Sequence, residues 1–468
     1  MIDSKHGKAA FFLEKCNYNS LFLEFIPLIG FIMKVSTMEP ATMEIQEAYT
    51  SFFQKYERLR ALNDDKLSEE LLLQLIDQVK FFRNSCAKGQ DYQNLLTTLP
   101  QFFDVLNTIL SKNTFLDKFN SNTVLGLKKM TWQLVANICV QNNSTQTIVW
   151  ELLGESILSL LEEITPFTDI QLMTVYNIFR GAGIQDHRRI FQMLVRIYSQ
   201  PLEQGDEPIN LEFLHIFLEY FLTEYSRAVT LYGPLGDIDR ITILQYICSY
   251  IQSGSKNGPV AKSLMEYISK EFKKKSDCVL KTVDSYVDSI HPREVIALLD
   301  VISKASGEEI YTGLYCEDHS LFLNVGSLLQ ALNKIGKKSD NVFTPMQKLE
   351  QVAPASKINT DFEKEISFEM KTMLVRTSAN LLYRNRQNQD YARETDIISA
   401  ILDCTTADAR NPLIKEWSIL AIRNLCEGCP ENQEFISRLS KVGDAPNDIL
   451  AELSMEMGSL RIRSNQES

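Results

Sequence analysis

Cys426 and Cys429, within "NPLIKEWSILAIRNLCEGCPENQEFI" (411–436), stand at the Cys-x-x-Cys spacing used by zinc sites and by thiol–disulfide exchangers. A structural zinc ion takes four ligands. The chain has no second Cys-x-x-Cys, and its five His, at 6, 187, 215, 291 and 319, lie far from this pair in sequence. Redox exchange places its thiols at a helix start beside a β-α-β pattern, which is missing here. The spacing therefore favours a structural pair, with Cys426 a core position and Cys429 in a turn. Cys316-Glu-Asp-His319 supplies two metal ligands at best. Nor does the chain contain a Gly-Lys-Ser/Thr phosphate loop, Gly-x-Gly-x-x-Gly, His-Glu-x-x-His or Gly-x-Ser-x-Gly. Catalytic, cofactor-binding and metal-ligating residues are all read as none, and the protein is expected not to be an enzyme.

The amide residues carry more information. Asn424 is followed at offsets of eight and nine by Asn432-Gln433, and Asn380 at the same offsets by Asn388-Gln389, so the two segments superimpose without a gap at a period of 44. Asn84 precedes Tyr92-Gln93, Asn137 precedes Thr145-Gln146, Asn333 precedes Asn341, and Asn177 follows Asn137 by 40 residues. One long apolar helix per unit, ending in an Asn-apolar step and recurring every 40 to 53 residues, is the pattern of a helical solenoid. The expected fold is all-α, an armadillo/HEAT-like α-solenoid of helical repeats with a period of about 40–50 residues.

The last of these helices shows what the amides are for. Ile414, Trp417, Ala421 and Leu425 form an apolar stripe that Ile419 and Ile422 widen, so the helix must lie between neighbours. Arg423 and Asn424 fall near its end, where carbonyls lack intrahelical partners. Gly428 suits the left-handed cap, Pro430 the first position of the next helix, and Glu431 its dipole. Asn84, Asn137, Asn380, Asn424, Arg423, Trp417, Asn432 and Gln433 are accordingly the candidate repeat-turn or partner-surface residues. As turn staples, the amides would bond the backbone of their own turn. As a recognition ladder they would grip an extended peptide, as in nuclear-import armadillo proteins. Those proteins carry Trp one turn before the Asn, and Leu420, Arg376 and Gln133 stand there instead, which weighs against import-signal binding.

Composition agrees with a helical array. Hydrophobic residues make up 44% of the chain, enough for an extended core, whereas 19 Gly and 14 Pro in 468 residues leave little turn chemistry for an all-β protein. A net charge of −12 argues against a phosphate-binding surface and hence against nucleic acid. Nine Cys without a disulfide-dense segment read as reduced thiols. The apolar run at 21–35 is interrupted by Glu24, Pro27 and Gly30 and is too short to span a bilayer. No integral membrane association is expected.

Helical spacing recurs at Leu71, Leu72, Leu75, Ile76, Val79 and Phe82, and again at Phe213, Phe217, Tyr220, Phe221 and Tyr225. Breaks fall at 201–209, 232–239 and, longest, 337–365. The organisation read from this is an N-terminal extension outside the fold at 1–42, armadillo-like repeats at 43–336, a polar linker at 337–365, further repeats at 366–460 and a disordered tail at 461–468.

"FFRNSCAKGQDYQ" (81–93) and the 411–436 stretch resemble the ataxin-10 family of armadillo-repeat proteins. The C-terminal resemblance rests on Asn411-Pro412, Glu416-Trp417, Ala421 to Leu425 and Glu431 to Gln433. It implies a cytoplasmic, non-enzymatic scaffold that binds protein partners and is linked to neuronal survival, neurite outgrowth and cell division. Partners are expected on the concave solenoid face, and self-association is left open. A peptide-binding transport adaptor of the nuclear-import type is the alternative.

Overall fold

Apolar residues at helical spacing, separated by short polar breaks, fold as helices that hide one stripe each against the next. The structure is a computed structural model that describes residues 38–62, 65–184, 186–200, 210–225, 227–276, 292–338, 344–345, 367–406, 408, 411, 413–442, 453–456 and 459–462. The chain divides into two units, 1–217 and 218–468.

In the first unit, α1 (Met38–Ala61), α2 (Asp65–Cys86), α3 (Gln90–Thr97) and α4 (Phe102–Leu110) lead through a short 3-10 turn to α5 (Ser121–Ile138). There follow α6 (Asn143–Leu160), α7 (Thr168–Gly181), α8 (His187–Ser199) and the start of α9 (Glu212–Thr223), which runs across the division. The long helices α2, α5 and α7 pack side by side in that order, and α3, α4 and α6 form a second layer. Phe52, Phe82 and Phe102, all fully buried, meet edge to face with ring centres 5.5 to 6.2 Å apart, joining α1, α2 and α4.

The second unit repeats the plan. Its elements are α10 (Ala228–Tyr232), α11 (Asp237–Gln252), α12 (Lys262–Lys275), α13 (Pro292–Ala305), α14 (Thr312–Tyr315), α15 (His319–Lys338), α16 (Ser367–Leu382), α17 (Arg386–Glu394), α18 (Ile397–Leu402), α19 (Ile414–Cys426) and α20 (Pro430–Val442). Here α11, α13, α16 and α19 stack in series, with α12, α15, α17, α18 and α20 behind them. A short, short, long triplet is plainest in α17–α18–α19 and, in the first unit, in α3–α4–α5. Each unit is an all-α, armadillo-like array of helical repeats. Gly326 lets α15 approach α18 closely: a Cβ there would lie 2.2 Å from Ile397 Cδ1, so that side chain would have to move.

The element boundaries differ from the sequence reading in several places. Helix α1 begins at Met38, ahead of the boundary drawn after residue 42, and Lys337 and Lys338 finish α15 rather than opening a linker. At the C-terminus β1 (Leu453–Glu456) and β2 (Ser459–Ile462) pair antiparallel, Leu453 opposite Ile462 and Glu456 opposite Ser459. Helical repeat had been expected there to residue 460, and disorder from 461. Four-residue strands are too short for period-2 alternation to stand out. The expectations for 1–37, 201–209, most of 339–365 and 463–468 lie outside the described residues. No described helix is long and apolar enough to cross a membrane.

Candidate functional site

A helix leaves its last four carbonyls without intrahelical donors, and in a stacked array those carbonyls are shut away from water. The end of α16 shows how the amides answer this. The Ala379 carbonyl accepts from Asn424 Nδ2 of the next long helix at 2.9 Å. Those of Asn380 and Leu382 accept from the backbone of Tyr383 and Asn385, at 3.2 and 3.3 Å. The Leu381 carbonyl takes Asn388 Nδ2 at 2.8 Å. All four are satisfied.

The end of α19 uses the same parts. Gln389 Nε2, from the preceding repeat, donates to the carbonyls of Asn424 (2.8 Å) and Glu427 (3.0 Å). Asn432 Nδ2 donates to Leu425 and Gln389 carbonyls, both at 3.0 Å, and Gln433 Nε2 to that of Cys426 at 2.9 Å. The Arg423 carbonyl accepts from the Glu427 backbone at 2.9 Å. Gly428 takes the left-handed φ of 68° and Pro430 opens α20, as the spacing anticipates. In the first unit the scheme recurs: Asn137 Nδ2 reaches the Arg83 carbonyl (3.4 Å), Gln93 Nε2 those of Asn137 (3.0 Å) and Val140 (3.2 Å), and Gln146 Nε2 that of Cys139 (2.7 Å).

The long-helix pairs α2–α5 and α16–α19 are thus clasped to one another from both directions. The Asn at the end of a long helix caps the previous long helix, and the Gln at the start of the following short helix caps the next one. The staples anticipated within single turns are instead links between repeats, and the within-turn role falls to Asn388, Asn432, Gln433 and Gln146. Asn380 likewise donates to the Ser303 carbonyl (3.2 Å) and to Ser306 Oγ (3.1 Å). Leaving one such buried carbonyl without a donor costs about 1–3 kcal/mol, more than the roughly 1 kcal/mol net of making the bond.

Not every member of the series joins the clasp. Asn84 is exposed, and its Oδ1 accepts from Arg83 Nε (3.2 Å) and Nη2 (3.0 Å) at its own helix end. Asn333 belongs to α15, in the second layer, and donates to the Ala400 carbonyl at 2.9 Å. Its frame with Asn341 is coincidental, since α15 is not one of the stacked long helices. Arg423 is exposed, and its backbone rather than its side chain enters the turn. Trp417 is only half-buried, lying under the Arg376 guanidinium with 4.9 Å from guanidinium carbon to ring centre. Arg393, which donates to Asn432 Oδ1 at 2.6 Å, and His319, whose Nδ1 lies 2.7 Å from Asn388 Oδ1, were not anticipated. Each holds the acceptor side of an amide whose donors are used in the turn.

Cys426 and Cys429 are both buried. Burial, then the neighbouring Cys429, pushes the Cys426 thiol up to about 12, away from the thiolate that exchange needs. Cys429 Sγ faces Arg393 Nη1 (3.9 Å) and Glu431 Oε2 (3.7 Å).

A separate polar cluster ties α10, α11, α12 and α13 together. Glu294, 1% exposed, accepts from Arg240 Nε (2.8 Å) and Nη2 (3.1 Å), Lys275 Nζ (2.8 Å) and the Tyr232 hydroxyl (3.3 Å). Burial acts to raise its pKa, but the bonds from Arg240 and Lys275 outweigh it and hold the carboxyl below the usual range. With every oxygen committed to the protein, this is a tie between helices rather than an acid–base site.

Comparison with known proteins adds to this geometry. The family described as "Spinocerebellar ataxia type 10 protein domain" matches residues 370–462, the stretch that holds the Asn380, Asn388, Gln389, Asn424, Asn432 and Gln433 clasp. Ataxin-10 of Bos taurus is 26% identical over 396 residues, covering 82% of this chain and 80% of that protein. An ataxin-10 homolog of Candida glabrata is 26% identical over 456 residues, 87% of this chain and 82% of that one. An ataxin-10 homolog of Dictyostelium discoideum is 47% identical over 100 residues, 21% of this chain and 16% of that one. With its C-terminal repeats matched by the family's domain and relatives aligned along most of its length, the chain is similar to ataxin-10 proteins.

Proposed function

We propose that this protein is a non-enzymatic, cytoplasmic scaffold that binds protein partners along the exposed stripes of its stacked long helices, the side that is concave in an armadillo array. The observation that carries this reading is the clasp itself. The amides of Asn137, Asn380 and Asn424, which in a peptide-gripping ladder would point to the ligand, donate instead to the neighbouring repeat. They hold the array, and partner recognition falls to the residues around them. On α2 these are Glu70, Leu73, Asp77, Lys80 and Asn84, an i, i+3/i+4 stripe of exposed residues. On α5, Asn122, Leu125 and Lys129 are exposed in the same spacing. Leu73 and Leu125 are 53% and 46% exposed, large apolar side chains of the kind that partner surfaces use.

Similarity to ataxin-10 proteins supports a scaffold and, as its cellular setting, cell division (cytokinesis) more than neurite outgrowth or neuronal survival. Relatives in Candida glabrata and Dictyostelium discoideum serve cells without neurons. The import-adaptor alternative lacks free amides at Asn137, Asn380 and Asn424 and Trp at Leu420, Arg376 and Gln133. Cross-linking capture of partners from dividing cells tests the reading. Leu73→Glu with Leu125→Glu should remove partners while leaving the helical circular dichroism unchanged, whereas Arg188→Glu, on exposed α8 surface, should keep them. Equal loss from both variants would refute the assignment of the face.

A further inference from the structure

In a peptide-gripping armadillo array, an aromatic ring waits for the cation of a basic ligand. Here the Trp417 ring already carries one, Arg376 of the preceding long helix, 4.9 Å away. The contact holds the guanidinium over the ring. Arg376 Nε is buried with no acceptor, and no carboxylate pairs with the side chain among the described residues. The Asp300 carboxylate of α13 pairs with Lys304 instead, at 2.8 Å. The residue is part-exposed, so an arriving acceptor can reach the outer edge of the guanidinium rather than Nε. A planar, pre-oriented guanidinium is also the group best suited to a carboxylate or phosphate.

We propose that Arg376, held on Trp417, anchors a subsite for an anionic side chain of a partner peptide, and that the same stack turns basic import signals away. This rests on the scaffold reading for its biological setting. The chain's net charge of −12 would repel an acidic peptide at long range, so recognition is local, through the clamp. A glutamate or a phosphorylated serine offers the same chemistry, the latter with more charge.

The test uses the full chain and three fluorescent peptides: a Glu-Gly repeat, a phosphoserine-Gly repeat and a Lys-Gly repeat. Wild type should bind one or both of the anionic peptides, and which one identifies the source of the charge. It should not bind the Lys-Gly peptide. Arg376→Met, which keeps apolar contact with Trp417, and Arg376→Glu should each weaken anionic binding by about tenfold or more, the range for losing one charge-assisted contact at a desolvated site. Thermal unfolding of both variants should stay near wild type. The peptide preference of the wild-type protein is informative even if a variant fails to fold. Failure of wild type to bind either anionic peptide, or undiminished binding by both variants, would overturn the subsite. Cellular partners captured equally by wild type and Arg376→Met would also overturn it while leaving the scaffold standing. Anionic peptides bound through Arg376 by a chain that captures no cellular partner would support the subsite and sink the scaffold.

Discussion

Asn432→Ala removes the amide that does most in the clasp. Asn432 is fully buried and makes three bonds: to the Leu425 carbonyl, to the Gln389 carbonyl and from Arg393. The Leu425 carbonyl lies in the last turn of α19 and loses its donor outright. The Gln389 carbonyl lies inside α17 and loses a second donor. Arg393 loses an acceptor at 2.6 Å but keeps Asp390 at 2.9 Å. One orphaned carbonyl at about 1–3 kcal/mol, with a smaller share from the other two contacts, gives about 3 kcal/mol. For a cooperative unit of roughly 150–250 residues, 1 kcal/mol moves Tm by about 2–4 °C, so Tm should fall by about 6–12 °C. Differential scanning calorimetry of the full chain reads this directly. Asn84→Ala is the internal control, because Asn84 is exposed and caps no neighbouring repeat; its Tm should change by no more than about 1–2 °C. Equal shifts in the two variants, or none in Asn432→Ala, would refute the clasp as a source of stability.

Three further outcomes are expected. Because its carboxyl is held below the ordinary Glu pKa of about 4.3, Glu294 contributes stability that is complete above that value and lost as pH falls through its folded pKa. Glu294→Gln should therefore destabilise the fold at pH 7, by less than the about 3–5 kcal/mol of a fully stranded buried charge, because Arg240 keeps Asp237 and the Leu235 carbonyl and Lys275 keeps Glu271, and wild type should lose more than the variant between pH 5 and 3. Leu425→Ala, at a fully buried position, should cost about 2–5 kcal/mol and exceed Trp417→Ala, whose ring is half-exposed, as urea titration of each will show. In the native protein Ellman's reagent should label Cys316, which is exposed, while mass spectrometry finds Cys426 unmodified at pH 7.5.

The repeat was legible because Asn380 and Asn424 solve the same problem with the same offsets, and a problem solved twice leaves a period. The target of each amide was not, since spacing along one chain does not say which backbone lies alongside; Asn424 caps Ala379, 45 residues away, rather than its own turn. Asn333 shows the converse: it fits the frame by offset yet sits in another layer. Glu294, Arg240, Lys275 and Tyr232 come from four helices with no common spacing, so their cluster has no sequence signature. Arg376 stood out only as a missing Trp, and its stack on Trp417 required the two long helices to be placed side by side.

The central claim is that the amide series builds the array and does not read the partner. Asn424→Ala separates these, because one buried donor to Ala379 is lost while the exposed stripes stay intact. Unfolding temperature and cross-linked partner yield, taken on the same preparation at a temperature where wild type and variant are both folded, form the decisive pair. A Tm lowered by about 2–12 °C with partner yield unchanged is the predicted result. An unchanged Tm with partner yield abolished would contradict it and make the amides a recognition ladder.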